Sequence, residues 1–153
     1  MNNDHPAPAR IRLTVIIPTF NRAPLLRLAL EALTRQERPA DEVIVVDNNS
    51  VDDTSALVRE FESRLPLKYL VETRRGAAEA RNLGIRHATG DVLAFTDDDC
   101  VPDVQWLRFI ELSFLRDPAI GMVAGKVVPC PDPQTWAERF ASSNHRVCEG
   151  MTP

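Results

Sequence analysis

The chain has 153 residues and a formal net charge of −4; 44% of its residues are hydrophobic and 26% are charged. This balance is typical of a soluble domain with a buried core, and it argues against a general nucleic-acid binder, which needs an excess of Lys and Arg. No apolar run approaches the ~18 residues that a membrane span requires, and residues 1–11 lack the apolar core of a signal peptide, so we expect a flexible N-terminal tail.

Strand and helix patterns alternate along the rest of the chain. Short β-branched runs bounded by turn formers predict strands, and apolar residues at i, i+4 and i+7 predict amphipathic helices. The predicted strands are 12–20, 41–50, 67–72, 91–97 and 120–129. The predicted helices are 21–36, 50–65, 74–90 and 103–117. This alternation predicts a doubly wound α/β fold, with a mostly parallel sheet and helices on both faces.

Capping signals and domain limits follow from the same patterns. Asn21 is placed to cap the first helix, and Ser50 and Asp53 have the spacing of a capping box before the second. Residues 12–130 are expected to form the α/β domain. Residues 131–153, with a weak helical stretch at 135–143, would begin a further, incomplete region.

The cysteines do not support a metal site or a disulfide framework. Cys100, Cys130 and Cys148 are widely spaced and form no CxxC pair. Reduced thiols in a cytoplasmic protein are therefore expected. The three histidines are scattered and are interpreted as surface residues.

Three consecutive aspartates, Asp97, Asp98 and Asp99, stand at the end of the fourth predicted strand. Carboxylates this close resist ionisation unless a positive group lies among them. Hard divalent cations such as Mg²⁺ or Mn²⁺ prefer oxygen ligands and are commonly held by one or two carboxylates together with substrate phosphates. The triplet therefore predicts a site for a cation that arrives with a nucleotide.

Polar side chains also follow the other strands, and the carboxyl ends of parallel strands share one edge of a sheet, where ligands bind. These clusters, expected to converge there, are Thr19, Asn21 and Arg22; Asp47, Asn48, Asn49 and Ser50; and Thr73, Arg74, Arg75 and Gly76. Their arginines, with Arg81, would face the acids, a composition that suits a diphosphate bridged by a divalent cation. Gly76 would let the backbone approach the ligand closely.

Each cluster also has a purely structural interpretation. Asp99 or Asp103 could cap the following helix, Asp47 could belong to a plain turn, and the arginines could form a solvated helix face. Trp106 and Trp136 are interpreted as packing residues. The functional interpretation depends on the clusters meeting at one edge of the sheet.

Three segments taken together resemble the family 2 glycosyltransferases of the GT-A fold. They are TVIIPTFNRAPLLRLALEALTRQ, DEVIVVDNNSVDDT and RRGAAEARNLGIRHATGDVLAFTDDDCVP, and the resemblance extends from about residue 13 to about residue 107. It implies an inverting transferase that uses a nucleoside-diphosphate sugar, usually UDP-linked, with Mg²⁺ or Mn²⁺. The segment 120–129 is similar to the strand that follows in many members.

The resemblance also implies positions for the nucleotide base and ribose. Thr19, Asn21 and Arg22 would lie beside them, and Asp47 would accept a hydrogen bond from the base. The helix start from Gly76 to Asn82 would flank the ribose and the diphosphate.

For the diphosphate and the metal, the resemblance implies a second set of residues. Arg81 would be a further nucleotide contact. Asp97 and Asp99 match the two acids of the family's DxD motif; the first would face the ribose, and both are assigned to the metal. Asp98 fills the variable middle position.

The catalytic base is expected downstream, beyond Pro153, because nothing in the surroundings of Glu138 or Glu149 selects either of them. The chain would then be the nucleotide-binding portion of a transferase, with an unknown saccharide, lipid or protein acceptor. It would be cytoplasmic, and the resemblance allows peripheral association with the inner membrane face.

Two other functions remain open at this point. One is a degenerate nucleotide-binding or scaffold module without transfer activity. The other is a nucleotidyltransferase, which would be expected to carry a glycine-rich basic loop after its first strand, where PTFNRAP has no glycine.

Overall fold

The computed structural model describes residues 10–117 and 119–128, together with the backbone of 144–147. Its main sheet has four strands, all parallel, in the order β3-β2-β1-β4. These strands are β1 (Leu13–Thr19), β2 (Glu42–Asp47), β3 (Leu67–Val71) and β4 (Val92–Phe95). The predicted helical stretch at 135–143 lies outside the described residues.

Four helices connect and follow these strands. They are α1 (Ala23–Leu33), α2 (Thr54–Phe61), α3 (Ala77–His87) and α4 (Trp106–Arg116). Each begins and ends within the predicted range, and the predicted apolar faces are buried, as at Leu26, Leu30 and Phe61. None of the helices in the described ranges is both long enough and apolar enough to cross a membrane.

The two faces of the sheet pack against different helices. Every residue of β1 is buried, and successive strand residues point to opposite faces. Val15 and Ile17 share one core cluster with residues of α1, α2 and α4. Ile16 belongs to a second cluster with Ala80 of α3. The predicted α/β fold with helices on both faces is therefore confirmed.

Helix α3 approaches the sheet closely because Gly84 has no side chain. A Cβ atom at this position would lie 2.6 Å from the Cγ2 atom of Ile16 and 3.3 Å from that of Val46. Since Ile16 and Val46 are fully buried, neither has open space to move into. The glycine thus sets the distance between α3 and the strands on which it packs.

The fifth predicted strand does not join the main sheet. It is confirmed only as β6 (Gly125–Val127), which pairs antiparallel with β7 (Asn144–Val147). β7 also pairs in parallel with the two-residue strand β5 (Val101–Pro102), giving a separate sheet in the order β5-β7-β6. The residues of β6 are exposed, so this part of the apolar segment is not the buried core strand that its sequence predicts.

Neither predicted helix cap forms: Asp53 occupies the N-cap position of α2, but the N-cap side chains of α1 and α2 make no capping hydrogen bond. The backbone N–H of Ala23, in the first turn of α1, donates to Oδ2 of Asp52 at 3.0 Å. Asn21 instead adopts a positive φ of 53° and accepts a hydrogen bond from the N–H of Val51 at 2.7 Å, while its own N–H donates to Oγ of Ser50 at 2.8 Å. These reciprocal bonds tie the β1–α1 loop to the β2–α2 loop.

Asp41, just before β2, anchors the amino ends of the central strands. Its carboxylate accepts a hydrogen bond from the N–H of Leu13 at 2.8 Å and forms an ion pair with Arg38 at 2.7 Å. Burial alone would raise the pKa of Asp41, but these bonds and the charge of Arg38 outweigh it, so the pKa is lowered. Arg38 also pairs with Glu111 of α4, which links this helix to the sheet.

Candidate functional site

A cavity of about 300 Å³ opens at the carboxyl edge of the main sheet, between the ends of β1 and β4 and the start of α3. Seven of the residues expected at this edge line it: Thr19, Arg22, Asn48, Arg81, Asp97, Asp98 and Asp99. Residues that follow β1, β2 and β4 therefore meet at this edge as predicted, whereas no residue of the cluster 73–76 is part of the lining. Asn21, Asp47 and Gly76 lie outside the lining, and their contacts are described below.

A larger cavity of about 590 Å³ extends along β4 at the edge of the main sheet. Apolar side chains such as Trp106, Ile110 and Phe114 form most of its walls, and the described residues of its lining include no arginine. It therefore lacks the paired charges that a nucleotide diphosphate requires, and the smaller cavity is the candidate site. Trp106 is buried, as its interpretation as a packing residue predicted.

Asp98, the middle acid of the triplet, is the buried one. Its Oδ2 accepts a 2.8 Å hydrogen bond from the hydroxyl of Thr19, and its Oδ1 lies 3.3 Å from the guanidinium of Arg22. Burial raises the pKa of Asp98, although the bond from Thr19 and the charge of Arg22 act in the opposite direction. The carboxylate joins the end of β1 to the loop that follows β4.

Asp97 and Asp99, the outer acids, are more exposed, and each is paired with an arginine. Arg81 of α3 donates to Oδ1 of Asp97. Arg22 donates to Oδ2 of Asp99 at 3.2 Å, so it contacts both Asp98 and Asp99. Two guanidinium groups thus supply the positive charge that the triplet was expected to need. Asp99 caps no helix, because α4 begins only at Trp106.

The donor chemistry of this site fits a hard divalent cation. Asp97 and Asp99 offer carboxylate oxygens, and their side chains are 51% and 39% exposed. Within the described residues there is no group of three or more acidic, histidine or cysteine side chains that could hold a metal alone. A cation such as Mg²⁺ needs only one or two protein carboxylates when substrate phosphates complete its coordination.

Asp47 is buried, and both of its carboxylate oxygens have partners within the protein. Oδ1 accepts the N–H of Ser50 at 2.8 Å, and Oδ2 accepts the hydroxyl of Tyr69 from β3. Burial and the Asp47 charge raise the pKa of Tyr69, which therefore stays protonated as the donor. Asp47 lies opposite Thr19 in the sheet register, so it is next to the strand end that carries the cavity.

Asn48 lines the cavity and holds the β3–α3 loop in place. Its Nδ2 donates to the carbonyl oxygens of Glu72 at 2.8 Å and Arg74 at 2.6 Å, and its Oδ1 accepts the N–H of Gly76 at 2.8 Å. Its own N–H donates to the carbonyl of Thr19. One amide side chain therefore fixes the loop that leads into α3. Gly76 has φ of 129°, a conformation that favours glycine.

Two features of the site were not evident from the sequence. Arg74 was expected to face the acids, but it pairs with Glu72 and Glu79 and is not part of the cavity lining. Phe20, which was not selected, lines the cavity and is 45% exposed. An aromatic residue between a buried strand and a helix cap position was a signal that could have identified it.

Comparisons with known proteins identify the family to which the chain belongs. The Glycosyl transferase family 2 profile matches residues 14–147. The chain belongs to this family. It is also 38% identical over 146 residues to the glycosyltransferase AglE of Haloferax volcanii, covering 92% of this chain and 48% of AglE. The chain thus spans about half the length of that relative.

Solved structures show the same GT-A-like fold. The mannosyltransferase PcManGT from Pyrobaculum calidifontis, solved in complex with GDP-Man and Mn²⁺, superposes with a TM-score of 0.64 at 34% identity, covering 84% of this chain and 38% of PcManGT. TarS from S. aureus, residues 1–349 in complex with UDP-GlcNAc, has a TM-score of 0.64 at 28% identity, covering 70% of this chain and 32% of that protein.

Proposed function

We propose that the protein transfers a sugar from a nucleoside-diphosphate sugar, UDP-linked, to an acceptor hydroxyl, and that the cavity at the carboxyl edge holds the nucleotide diphosphate. The observation that carries this proposal is the joint presence of three aspartates and two arginines around one cavity at that edge. The sugar-nucleotide complexes of PcManGT and TarS support it.

The arginines and the aspartates would have different roles in binding the diphosphate. Arg22 and Arg81 would donate hydrogen bonds to phosphate oxygens, which suit the planar guanidinium fork. Asp97 and Asp99 would hold Mg²⁺ or Mn²⁺. When bound, the cation would offset the charge that develops on the departing nucleoside diphosphate. Asp98, fixed by Thr19, would keep the two outer acids in place.

The base and ribose would lie beside the ends of β1 and β2. Asp47 would accept a hydrogen bond from the base, since a carboxylate has about four lone-pair positions and its two bonds within the protein use two of them. Phe20 offers an exposed aromatic face at the cavity for contact with a planar ring. Asn21 and Gly76 would contribute through the loops that they shape.

The transfer would be a single displacement that inverts the anomeric carbon. The acceptor oxygen would form a bond to that carbon as the bond to the diphosphate breaks, and a carboxylate base would take the proton of the acceptor hydroxyl. We place this base in residues C-terminal to Pro153. We further propose a cytoplasmic protein that can associate with the inner membrane face to reach its acceptor.

Calorimetric titration of UDP, with and without Mn²⁺, tests the binding step. The expected result is a saturable heat with UDP and Mn²⁺ together and a much smaller one with UDP alone. GDP serves as the comparison nucleotide, because PcManGT was solved with a GDP-linked sugar. If neither UDP nor GDP binds in the presence of Mn²⁺ or Mg²⁺, the proposed function is wrong.

A further inference from the structure

The two arginines at the cavity occupy the carboxylates that a divalent cation would use. Arg81 donates to Oδ1 of Asp97, and Arg22 lies 3.2 Å from Oδ2 of Asp99. Without a nucleotide, the positive charge at the triplet is therefore supplied by the protein itself. Each arginine contacts one oxygen of its carboxylate, so a free cation held by both acids would either displace these ion pairs or share the carboxylates with two guanidinium groups.

One acid of the triplet is held in place by burial, whereas the other two form exposed ion pairs that can exchange partners. The side chain of Asp98 is only 6% exposed and is bonded to Thr19 as well as to Arg22. The side chains of Arg22, Arg81, Asp97 and Asp99 are 36% to 52% exposed. Ion pairs this exposed contribute little stability and can open at small cost. Asp97 and Asp99 can therefore be released while Asp98 keeps the loop in place.

We propose that Arg22 and Arg81 make cation binding at this site conditional on a diphosphate, so that the protein selects the metal–nucleotide complex over the free metal. This inference rests on the proposed function. A free cation bound by Asp97 and Asp99 would leave two displaced guanidinium groups close to a divalent charge, and the like charges would repel. A diphosphate removes this repulsion, because its oxygens accept hydrogen bonds from the displaced guanidinium groups and also coordinate the cation.

The sum of the charges supports the same conclusion. Three aspartates and two arginines leave a formal excess of one negative charge at the cavity. A free divalent cation would therefore leave a net positive charge at the cavity, beside the two arginines, whereas the diphosphate of a sugar nucleotide carries two negative charges and neutralises the cation that it brings. Arg22 and Arg81 thus act as specificity-determining residues, beyond any contact that they make with the nucleotide.

The test measures Mn²⁺ binding without nucleotide, from the loss of the electron paramagnetic resonance signal of free Mn²⁺. The variants are Arg81→Gln and Arg22→Gln, and Arg108→Gln is the matched control, because Arg108 pairs with Glu37 away from the cavity. We expect the Kd for Mn²⁺ alone to fall by roughly tenfold in Arg81→Gln and Arg22→Gln. Arg108→Gln should match the wild type. Thermal melts of each variant confirm folding.

A second titration adds UDP at saturating Mn²⁺. We expect Arg81→Gln to bind UDP more weakly than the wild type, so that one substitution strengthens metal binding and weakens nucleotide binding. If the wild type binds UDP with Mn²⁺ but neither variant binds Mn²⁺ alone more tightly, the inference is wrong and the proposed function stands. A wild type that binds no nucleotide with any metal overturns the proposed function, and this inference with it.

Discussion

Thr19 and Asp98 are 79 residues apart in the sequence and are joined by a buried hydrogen bond of 2.8 Å. This bond connects the end of β1 to the acidic loop after β4. The same carboxylate is the one acid of the triplet that is buried. The position of the outer acids therefore depends on a neutral hydroxyl group in the first strand.

Replacing Thr19 with Val should weaken both the fold and the site. Val has a similar shape, but it leaves a buried carboxylate oxygen of Asp98 without its donor, which costs about 1–3 kcal/mol of unfolding free energy. Urea denaturation measures this change, and calorimetry should show weaker UDP binding. Thr19→Ser keeps the hydroxyl and serves as the control. Equal stability of Thr19→Val and Thr19→Ser would show that the bond contributes nothing.

Replacing Asp99 with Ala should abolish metal-dependent nucleotide binding with little effect on stability. Asp99 is partly exposed and caps no helix, and its partners are the exposed Arg22 and the weakly donating thiol of Cys100, so its loss should change the unfolding free energy by less than about 0.5 kcal/mol. Asp53→Ala, the same charge change at an exposed helix start, is the control. Unchanged UDP binding in Asp99→Ala would favour a scaffold module over a transferase.

Replacing Asn48 with Asp should loosen the β3–α3 loop. The new carboxylate would face the carbonyl oxygens of Glu72 and Arg74 instead of donating to them, so two hydrogen bonds become repulsive contacts. Hydrogen exchange at the amide of Gly76 should become faster, and the Kd for UDP should rise. Asn49→Asp is the matched control, because Asn49 is the exposed neighbour and Asp tolerates its positive φ. Similar behaviour of the two variants would contradict this role for Asn48.

Stability should depend on pH through Asp41, whose folded-state pKa is lowered. A lowered pKa stabilises the fold at pH values above the unfolded pKa of ~3.9, and this contribution is lost as the pH falls through the folded pKa. Asp41→Asn should therefore reduce the unfolding free energy by about 1–3 kcal/mol at pH 7. The deficit should be similar at pH 5 and smaller at pH 3. A deficit that does not change with pH in urea denaturation would exclude the charge as its cause.

Replacing Gly84 with Ala should destabilise the protein although Ala is the better helix former. The added Cβ would meet Cγ2 of Ile16 at 2.6 Å, and overpacking of a full core costs about 1–3 kcal/mol. Helix propensity alone would stabilise by about 1 kcal/mol. In an Ile16→Ala background the obstructing atom is gone, so Gly84→Ala should cost less there. A double-mutant cycle with no coupling would contradict this packing argument.

The sequence predicted the layers of the fold better than the contacts between loops. Periodic apolar residues such as Leu26 and Leu30 predict the buried face of a helix, because the pattern lies within one continuous segment of the sequence. Asn21 was expected to cap the helix next to it, but its side chain bonds Val51 in a different loop. Such a contact depends on which loops the sheet brings together, and the local sequence pattern does not predict it. The pairing of β6 with β7 was missed for the same reason.

Within the site, the sequence identified the residues that line the cavity more readily than their partners. Thr19, Arg22 and the aspartates follow strand ends, so topology alone brings them to one edge. The sequence could not show that Arg74 would be held by Glu72 while Arg81 reached Asp97, because side-chain pairing follows from helix orientation. Nor could it show that Asn48, expected only to lie at this edge, would bridge to the next loop.

The reciprocal bonds between Asn21 and residues Ser50 and Val51 have a consequence for how this sequence can vary. Each loop supplies one hydrogen-bond donor and one acceptor to the other. Loss of the acceptor side chain from either loop therefore leaves a backbone N–H of the other loop without its partner. Because each of these acceptors faces a backbone N–H, positions 21 and 50 should each keep a side chain with an acceptor oxygen among homologues. Grafting either loop alone into a related protein should fail where transplanting both together succeeds.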